Sequence, residues 1–343
     1  MILGIESSCD ESALALFDPK VGIRDEWIYR QIALHEAYGG VVPDLASRKH
    51  LDYLPELLER VATIVNPGEV TQVAVTCGPG LAGCLALGVM LAKATAWAWG
   101  VPLVGVNHLR GHLFSPFIAL HQKCPDDFRE RLAAHLPHLG LIVSGGNTLL
   151  VSLDEDYRVK IIAGTVDDAS GEALDKGAKL LGMPYPGGPL IERKAQGGDA
   201  GAYHFPRAFP SASDFKFSFS GLKTSLRYLL EKLDDNALEA CEADLCASYQ
   251  QAIVDTLVRK TEQVLNAGKY KSLGVSGGVA NNKVLRMELS ALCSARSLPL
   301  FLAEPEHTGD NAAMIAFSAF ADPSGVIRDG EPLMTFYPSL TLE

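Results

Sequence analysis

At 343 residues, 48% of them hydrophobic and 21% charged, the chain has a globular composition with room for two domains of ordinary size. Its net charge of −11 argues against a broadly basic nucleic-acid-binding surface, though not against a local basic stripe, and suggests that a partner supplies part of any phosphate-backbone contact. The seven cysteines are scattered, odd in number and without CxxC or zinc-finger spacing, which excludes a disulfide framework and fits a reduced interior.

The opening Met1-Ile2-Leu3-Gly4-Ile5-Glu6 has no basic stretch and no apolar signal core, so a cytoplasmic location is expected. Residues 2–6 and 13–18 read as strands joined by the polar tip Ser7-Ser8-Cys9-Asp10-Glu11-Ser12. Helical apolar spacing covers 51–64, and a strand over 71–76 runs into the tight turn Cys77-Gly78-Pro79-Gly80. Residues 81–100 are apolar enough to raise the question of a membrane span. Lys93 interrupts the run, Gly83 and Gly88 dilute it and Pro102 follows, so a buried helix is expected and no membrane. A strand over 101–106 precedes a helix opening near Asn107.

The second half repeats this logic. Strands at 139–143 and 148–152 flank a turn, and 157–162 can pair as a third strand. Then come a helix over 171–181, the turn Tyr185-Pro186-Gly187-Gly188-Pro189, a long helix over 247–267 and a strand at 272–275. A helix over 281–291, a strand at 299–303 and a last helix over 310–321 complete the chain. Strand hairpins followed by helix-linked strands, present twice, predict an α/β protein with two similar lobes. The expected division is 1–130 and 131–310, with 311–343 crossing back to the first lobe.

The tripeptide Ser-Gly-Gly closes two apolar runs, at Ser144-Gly145-Gly146 and at Ser276-Gly277-Gly278. Paired glycines let the backbone turn and approach a ligand, and the amides beyond such a turn suit phosphate oxygens. One copy is common turn punctuation; two copies at similar depth in two halves suggest a duplicated nucleotide-binding core.

His108 and His112 sit four residues apart at the predicted helix start, so both imidazoles can reach one metal ion; packing or capping histidines are the plain alternative. This is not a zinc-protease HExxH, because Leu109 follows the first histidine. Asp310, at the head of the last helix, is the choice for a third ligand, and it is equally suited to N-cap that helix. Asp10 and Glu11 would be merely solvated at an ordinary turn. In a two-lobed nucleotide fold their tip would face the cleft, where an acid can take a proton. Ser220-Gly221-Leu222-Lys223-Thr224 has the tail of a phosphate loop, but its glycine spacing is wrong and no clear strand precedes it. A P-loop is rejected, leaving Lys223 as an anion contact.

Taken together, several motifs resemble the TsaD family, the tRNA adenosine threonylcarbamoyltransferases once called glycoproteases. In order they are Glu6-Ser-Ser-Cys-Asp-Glu-Ser12, Gly39-Gly-Val-Val-Pro43 with Ala46-Ser-Arg48, Cys77-Gly-Pro-Gly-Leu81, Asn107-His-x-x-Gly-His112 and Val143-Ser-Gly-Gly-Asn-Thr148. Asp175-Lys176, Tyr185-Pro-Gly-Gly-Pro189, Phe217-Ser-Phe-Ser-Gly-Leu-Lys-Thr224, Ser276-Gly-Gly-Val-Ala-Asn-Asn282 and Asp310-Asn-Ala-Ala-Met314 complete the set, which spans essentially the whole chain.

The resemblance implies the actin/Hsp70/sugar-kinase (ASKHA) fold, two lobes on a duplicated RNase H-like core with a nucleotide in the cleft. It implies one divalent metal per subunit, Fe2+ before Zn2+, on His108, His112 and Asp310. It also implies substrate contacts from Ile142, Val143, Ser144, Gly145, Gly146, Asp175, Gly188 and Asn282. The reaction implied moves a threonylcarbamoyl group from threonylcarbamoyl-AMP to N6 of the tRNA adenosine 3′ of the anticodon, releasing AMP, with Asp10 or Glu11 assisting proton removal. The implied partners are tRNA, an inactive paralogue of the same fold (TsaB-like) and a small ATPase (TsaE-like); the net charge of −11 fits a complex in which such companions and the local basic side chains Arg48, Lys49, Lys216 and Lys223 hold the tRNA. Arg110 and Asn147 depart from the bacterial pattern, which has Glu and His there. An inward-pointing Arg110 would add a cation beside the metal. Rival readings are a small-molecule kinase on the same fold, a non-catalytic scaffold paralogue and a metallopeptidase.

Overall fold

Runs such as Ile2-Leu3-Gly4-Ile5 and Val73-Ala74-Val75 are apolar on both faces, so they form strands covered on both sides. The computed structural model describes residues 1–211, 213–328 and 335–343. Residues 329–334, within the expected terminal segment 311–343, lie outside the described residues.

The strands in chain order are β1 (Ile2–Glu6), β2 (Glu11–Asp18), β3 (Gly22–Arg30), β4 (Gln72–Gly78), β5 (Leu103–Asn107), β6 (His138–Val143), β7 (Thr148–Leu153), β8 (Val159–Thr165), β9 (Lys216–Phe217), β10 (Ser272–Ser276), β11 (Leu300–Leu302) and β12 (Val326–Arg328). They form two six-stranded sheets, ordered β12-β5-β4-β1-β2-β3 and β11-β10-β6-β7-β8-β9. Read from one edge, β3-β2-β1-β4-β5 and β8-β7-β6-β10-β11 follow the same plan. In each, the central strand pairs in parallel with a later strand, and that strand with the next. This is the doubled core of the actin/Hsp70/sugar-kinase class. One sheet is extended by β12, antiparallel to β5, and the other by β9, parallel to β8.

The chain divides into two compact units. The first takes in Met1–Leu136, Leu153–Lys160 and Ala303–Glu343; the second takes in Pro137–Ser152 and Ile161–Leu302. The duplication is real, but the Ser-Gly-Gly turns do not mark it. Both copies belong to the second unit, at the ends of the adjacent strands β6 and β10, where Ser276 pairs with Ile142. The matching strand ends of the first unit carry Ser7-Ser8-Cys9-Asp10 after β1 and Pro79-Gly80 after β4.

Several helices are longer than their apolar spacing suggests. Pro43–Ile64 begins with a proline in its first turn, where no hydrogen bond is lost, and runs through Pro55. Its buried stripe Ala46, His50, Leu54, Leu57 and Val61 outweighs that internal proline. The helix Asp235–Ala267 starts well before residue 247, and Ser220–Leu230 is helical where none was expected. A two-residue strand, β9, also precedes Ser220, yet the helix start is not a phosphate site. The Asp167 carboxylate accepts from the Phe219 and Ser220 amides at 2.8 and 3.3 Å and from both flanking serine hydroxyls, filling the place an anion would take.

The helix Ala82–Trp99 is long and apolar enough to cross a membrane, the only such helix among the described residues. Cys84, Leu85, Gly88, Val89, Ala92, Thr95 and Ala96 are buried, and several join the core formed by β1, β2 and β4, whereas Met90 and Trp97 on the same helix are exposed, so the helix is only partly the buried one expected.

Candidate metal centre

The first unit gathers its polar residues where β1 and β5 end. Asn107 closes β5 and caps the helix His108–Phe114, its Oδ1 accepting from the Leu109 and Arg110 amides at 2.9 and 3.3 Å. The cap starts the helix at His108 and puts His112 one turn on, with ring centroids 4.8 Å apart. Asp310 arrives just ahead of the helix Ala312–Ala321. That helix packs on β1, where Gly4 has no Cβ to meet the Ala312 carbonyl; one built there would lie 2.4 Å from it.

The helix is capped by Asn311, which accepts from the Met314 amide at 2.8 Å. Asp310 is therefore not the cap, and its carboxylate is left for the histidines. Its Oδ1 lies 3.0 Å from His112 Nε2 and 3.4 Å from His108 Nε2. The two histidines and the acid named from sequence thus converge within one unit, with ligating atoms within 4.8 Å of one another.

Sequence reasoning passed over Glu6. It is completely buried, and its carboxylate accepts from the Ser8 amide, the Thr76 hydroxyl and His108 Nδ1, the last at 3.1 Å. Ser8 Oγ also stands 3.1 Å from that nitrogen. A carboxylate can only accept, so Nδ1 holds the ring proton and the Nε2 lone pair faces Asp310. The available signal was an acid ending a wholly apolar five-residue strand, since a charge buried there needs partners.

Asp310 and an Nε2 lone pair are both acceptors, so a cation belongs between them: a proton or, in its place, a metal ion. Without one, burial disfavours charge on Glu6 and Asp310, but His108 outweighs it at Glu6, and His108 with His112 outweighs it at Asp310. Both carboxyls are held below their ordinary range. Burial likewise opposes charge on His108, but Asp310 and Glu6 hold it well above its ordinary value. Glu11 is pushed well up by burial and then by Asp310, Asp10 and Glu6, against Arg30. Two imidazoles and one carboxylate with converging ligating atoms form a donor set suited to a divalent metal, so His108, His112 and Asp310 fit the metal implied by the resemblance. Cys9 is no nucleophile: burial and the nearby acids push its thiol far up.

Replacing Glu6 with Gln should weaken metal binding about 10–100-fold, as loss of an orienting partner typically does. Chelator competition would read this, and unchanged affinity would show that packing alone orients His108.

Arg110 does not point at the metal ligands. Its Nη1 donates to Asp322 at 2.7 Å, and both residues are buried. The condition for a cation beside the histidines is therefore not met: that charge ties the helix His108–Phe114 to the segment after Ala321.

In the second unit, Ile142 and Val143 are buried at the end of β6 and lead into a closed turn. The Ser144 amide donates to the Asn147 carbonyl and the Asn147 amide to Ser144 Oγ, leaving Gly145 and Gly146 exposed. Gly277, with φ of +90°, passes the Val143 carbonyl so closely that a Cβ would sit 2.2 Å from it. Asp175 accepts from the Gly187 and Gly188 amides at 2.7 and 3.3 Å, which shapes the turn ahead of the helix Gly188–Lys194. Asn282 is committed at both side-chain ends, capping Leu285 and donating to Gln250. Arg48 pairs with Asp44 and Lys49 with Asp52, whereas Lys216 and Lys223 are exposed.

The family model TsaD, described as tRNA N6-adenosine threonylcarbamoyltransferase, matches residues 22–317. A protein of that name from Pelobacter propionicus is 45% identical, covering 92% of this chain and 90% of its own. Another from Polaromonas naphthalenivorans is 44% identical, with 93% and 88% covered. Among solved structures, T. kodakarensis HypF aligns with a TM-score of 0.59 at 15% identity, over 94% of this chain and 46% of that one. A full-length HypF in a phosphate- and nucleotide-bound form gives 0.57 at 14%, over 94% and 55%. At such identities these two show the fold alone.

Proposed function

The chain belongs to the TsaD family of tRNA N6-adenosine threonylcarbamoyltransferases, and from that premise we propose the finer reaction. Threonylcarbamoyl-AMP is the donor, the acceptor is N6 of the adenosine 3′ of the anticodon in ANN-decoding tRNAs, and AMP is released. The adenine amine forms a bond to the carbamoyl carbon, the bond from that carbon to the phosphate oxygen breaks, and the amine loses a proton. The convergence of His108, His112 and Asp310 in a chain of this family carries the reading.

A divalent metal on those residues, Fe2+ by preference and Zn2+ as the second choice, would polarise an acyl or carboxylate oxygen. The chain's own groups do the rest. Glu6 keeps His108 aimed, and the exposed Gly145–Gly146 turn receives phosphate. Gly188 lines the nucleoside on a turn set by Asp175. Asn282 lines the nucleoside beside it. Holding donor and amine in line is worth ~7–11 kcal/mol in well-oriented systems, which is the main task when AMP is already a good leaving group.

Asp10 and Glu11 handle the amine proton. Asp10→Asn and Glu11→Gln should each slow transfer ~10²–10⁴-fold while leaving adenylate binding unchanged. Equal losses in both would remove the role. The target base is already easy to splay in a single-stranded loop. With Arg48 and Lys49 paired to acids and a net charge of −11, the TsaB-like and TsaE-like companions complete the hold on tRNA in the cytoplasm. The deciding experiment incubates the protein and these partners with threonylcarbamoyl-AMP and unmodified tRNA, followed by nucleoside mass spectrometry. Absence of the threonylcarbamoyl adduct on adenosine would overturn the reading.

A further inference from the structure

His307 closes the short turn Pro305–His307, three residues ahead of Asp310 in sequence. It is 6% exposed, and its Nδ1 has no hydrogen-bond partner among the described residues. A buried polar atom left unpaired is costly, so the orphan asks for a ligand. Ligating atoms of Glu304, Glu306 and His307 lie within 4.8 Å of one another. From β3, Glu26 places Oε2 3.9 Å from His307 Nδ1, beyond hydrogen-bond range. The other Glu26 oxygen, Oε1, accepts from the Ala313 amide at 2.7 Å.

We propose that Glu304, Glu306 and His307, with Glu26 as a fourth group, form a second divalent-cation site separate from the His108–His112–Asp310 centre. One imidazole with carboxylates is a donor set for Zn2+. Burial lowers the His307 pKa, keeping the ring neutral and its lone pair free to ligate. Burial also pushes the Glu26 carboxyl up to about 7, with the Ala313 and Ala312 amides and Arg30 opposing and Glu306 adding to the rise. A cation there would tie β3 to the segment that delivers Asp310, while touching none of the ligands of the first centre.

The test is stoichiometry. Full-length protein is stripped by chelation, titrated with Zn2+ alone by calorimetry, and checked by elemental analysis after gel filtration. Two equivalents are expected for the wild type. His307→Phe, and separately the Glu304→Gln/Glu306→Gln pair, should lose one equivalent or bind it at least tenfold more weakly. The glutamine pair changes side chains at the surface rather than in the core, so it decides the matter even if the histidine variant folds poorly. His108→Ala/His112→Ala should keep the equivalent that those variants lose. A wild type taking up one equivalent, lost with the histidine pair, would overturn the proposal. So would a second equivalent that survives both sets of changes at Glu304, Glu306 and His307.

Discussion

Asp310→Ala is expected to remove stoichiometric metal from the centre and to slow threonylcarbamoyl transfer on the order of 10³-fold. A metal acting on developing charge supplies several kcal/mol, and each 1.4 kcal/mol is tenfold in rate. The substitution also leaves two Nε2 lone pairs facing a space with no anion, so the remaining pair binds the metal weakly. Because Asn311 makes the cap, the helix Ala312–Ala321 should survive, although losing the ion pairs of Asp310 with His108 and His112 should lower the unfolding midpoint of the metal-free protein. Asp310→Asn separates charge from shape, retaining an oxygen donor but losing the anion. Elemental analysis and single-turnover transfer read both variants. Full metal occupancy with intact transfer in Asp310→Ala would mean that the three groups meet for structural reasons alone.

Arg110→Ala should destabilise the fold by about 3–5 kcal/mol, the usual cost of removing one member of a buried ion pair. Asp322 is wholly buried, and the substitution leaves its carboxylate without its cation. The paired change Arg110→Leu/Asp322→Leu should recover much of that loss, since well-packed apolar residues can replace such a pair at little cost. Denaturant titration of the metal-free protein gives the comparison. A loss confined to metal affinity, with stability unchanged, would contradict the structural role assigned to the pair.

The strands were largely legible because buried strands are short apolar runs bounded by turns, as in Ile2–Glu6 and His138–Val143. The edge strand β3 was not. Its Gly-Ile-Arg-Asp-Glu-Trp-Ile-Tyr-Arg mixes charge into a half-covered surface and breaks the alternation. Helix starts were hidden wherever the first turns face solvent, as in Asp235–Ala267, because no apolar stripe is needed there.

The convergence of the candidate ligands was legible from spacing at His108 and His112, and only by choice at Asp310, where an acid beside an asparagine at a helix head gives no indication of which one caps. Glu6 was invisible because its function depends on a partner over a hundred positions away in sequence. The repeated Ser-Gly-Gly suggested the right duplication for the wrong reason. Turns that end neighbouring strands of one sheet share a chemistry, whereas the repeat itself is written in strand order.

The division of labour between Asp310 and Asn311 means that the order of these two letters carries information their presence does not. A chain reading Asn-Asp at the same place would keep its charge, its composition and a competent helix head. It would nonetheless present an amide where the imidazoles need an anion. Neighbouring residues of nearly identical size can thus be chemically non-exchangeable through nothing more than which side of a helix boundary each occupies.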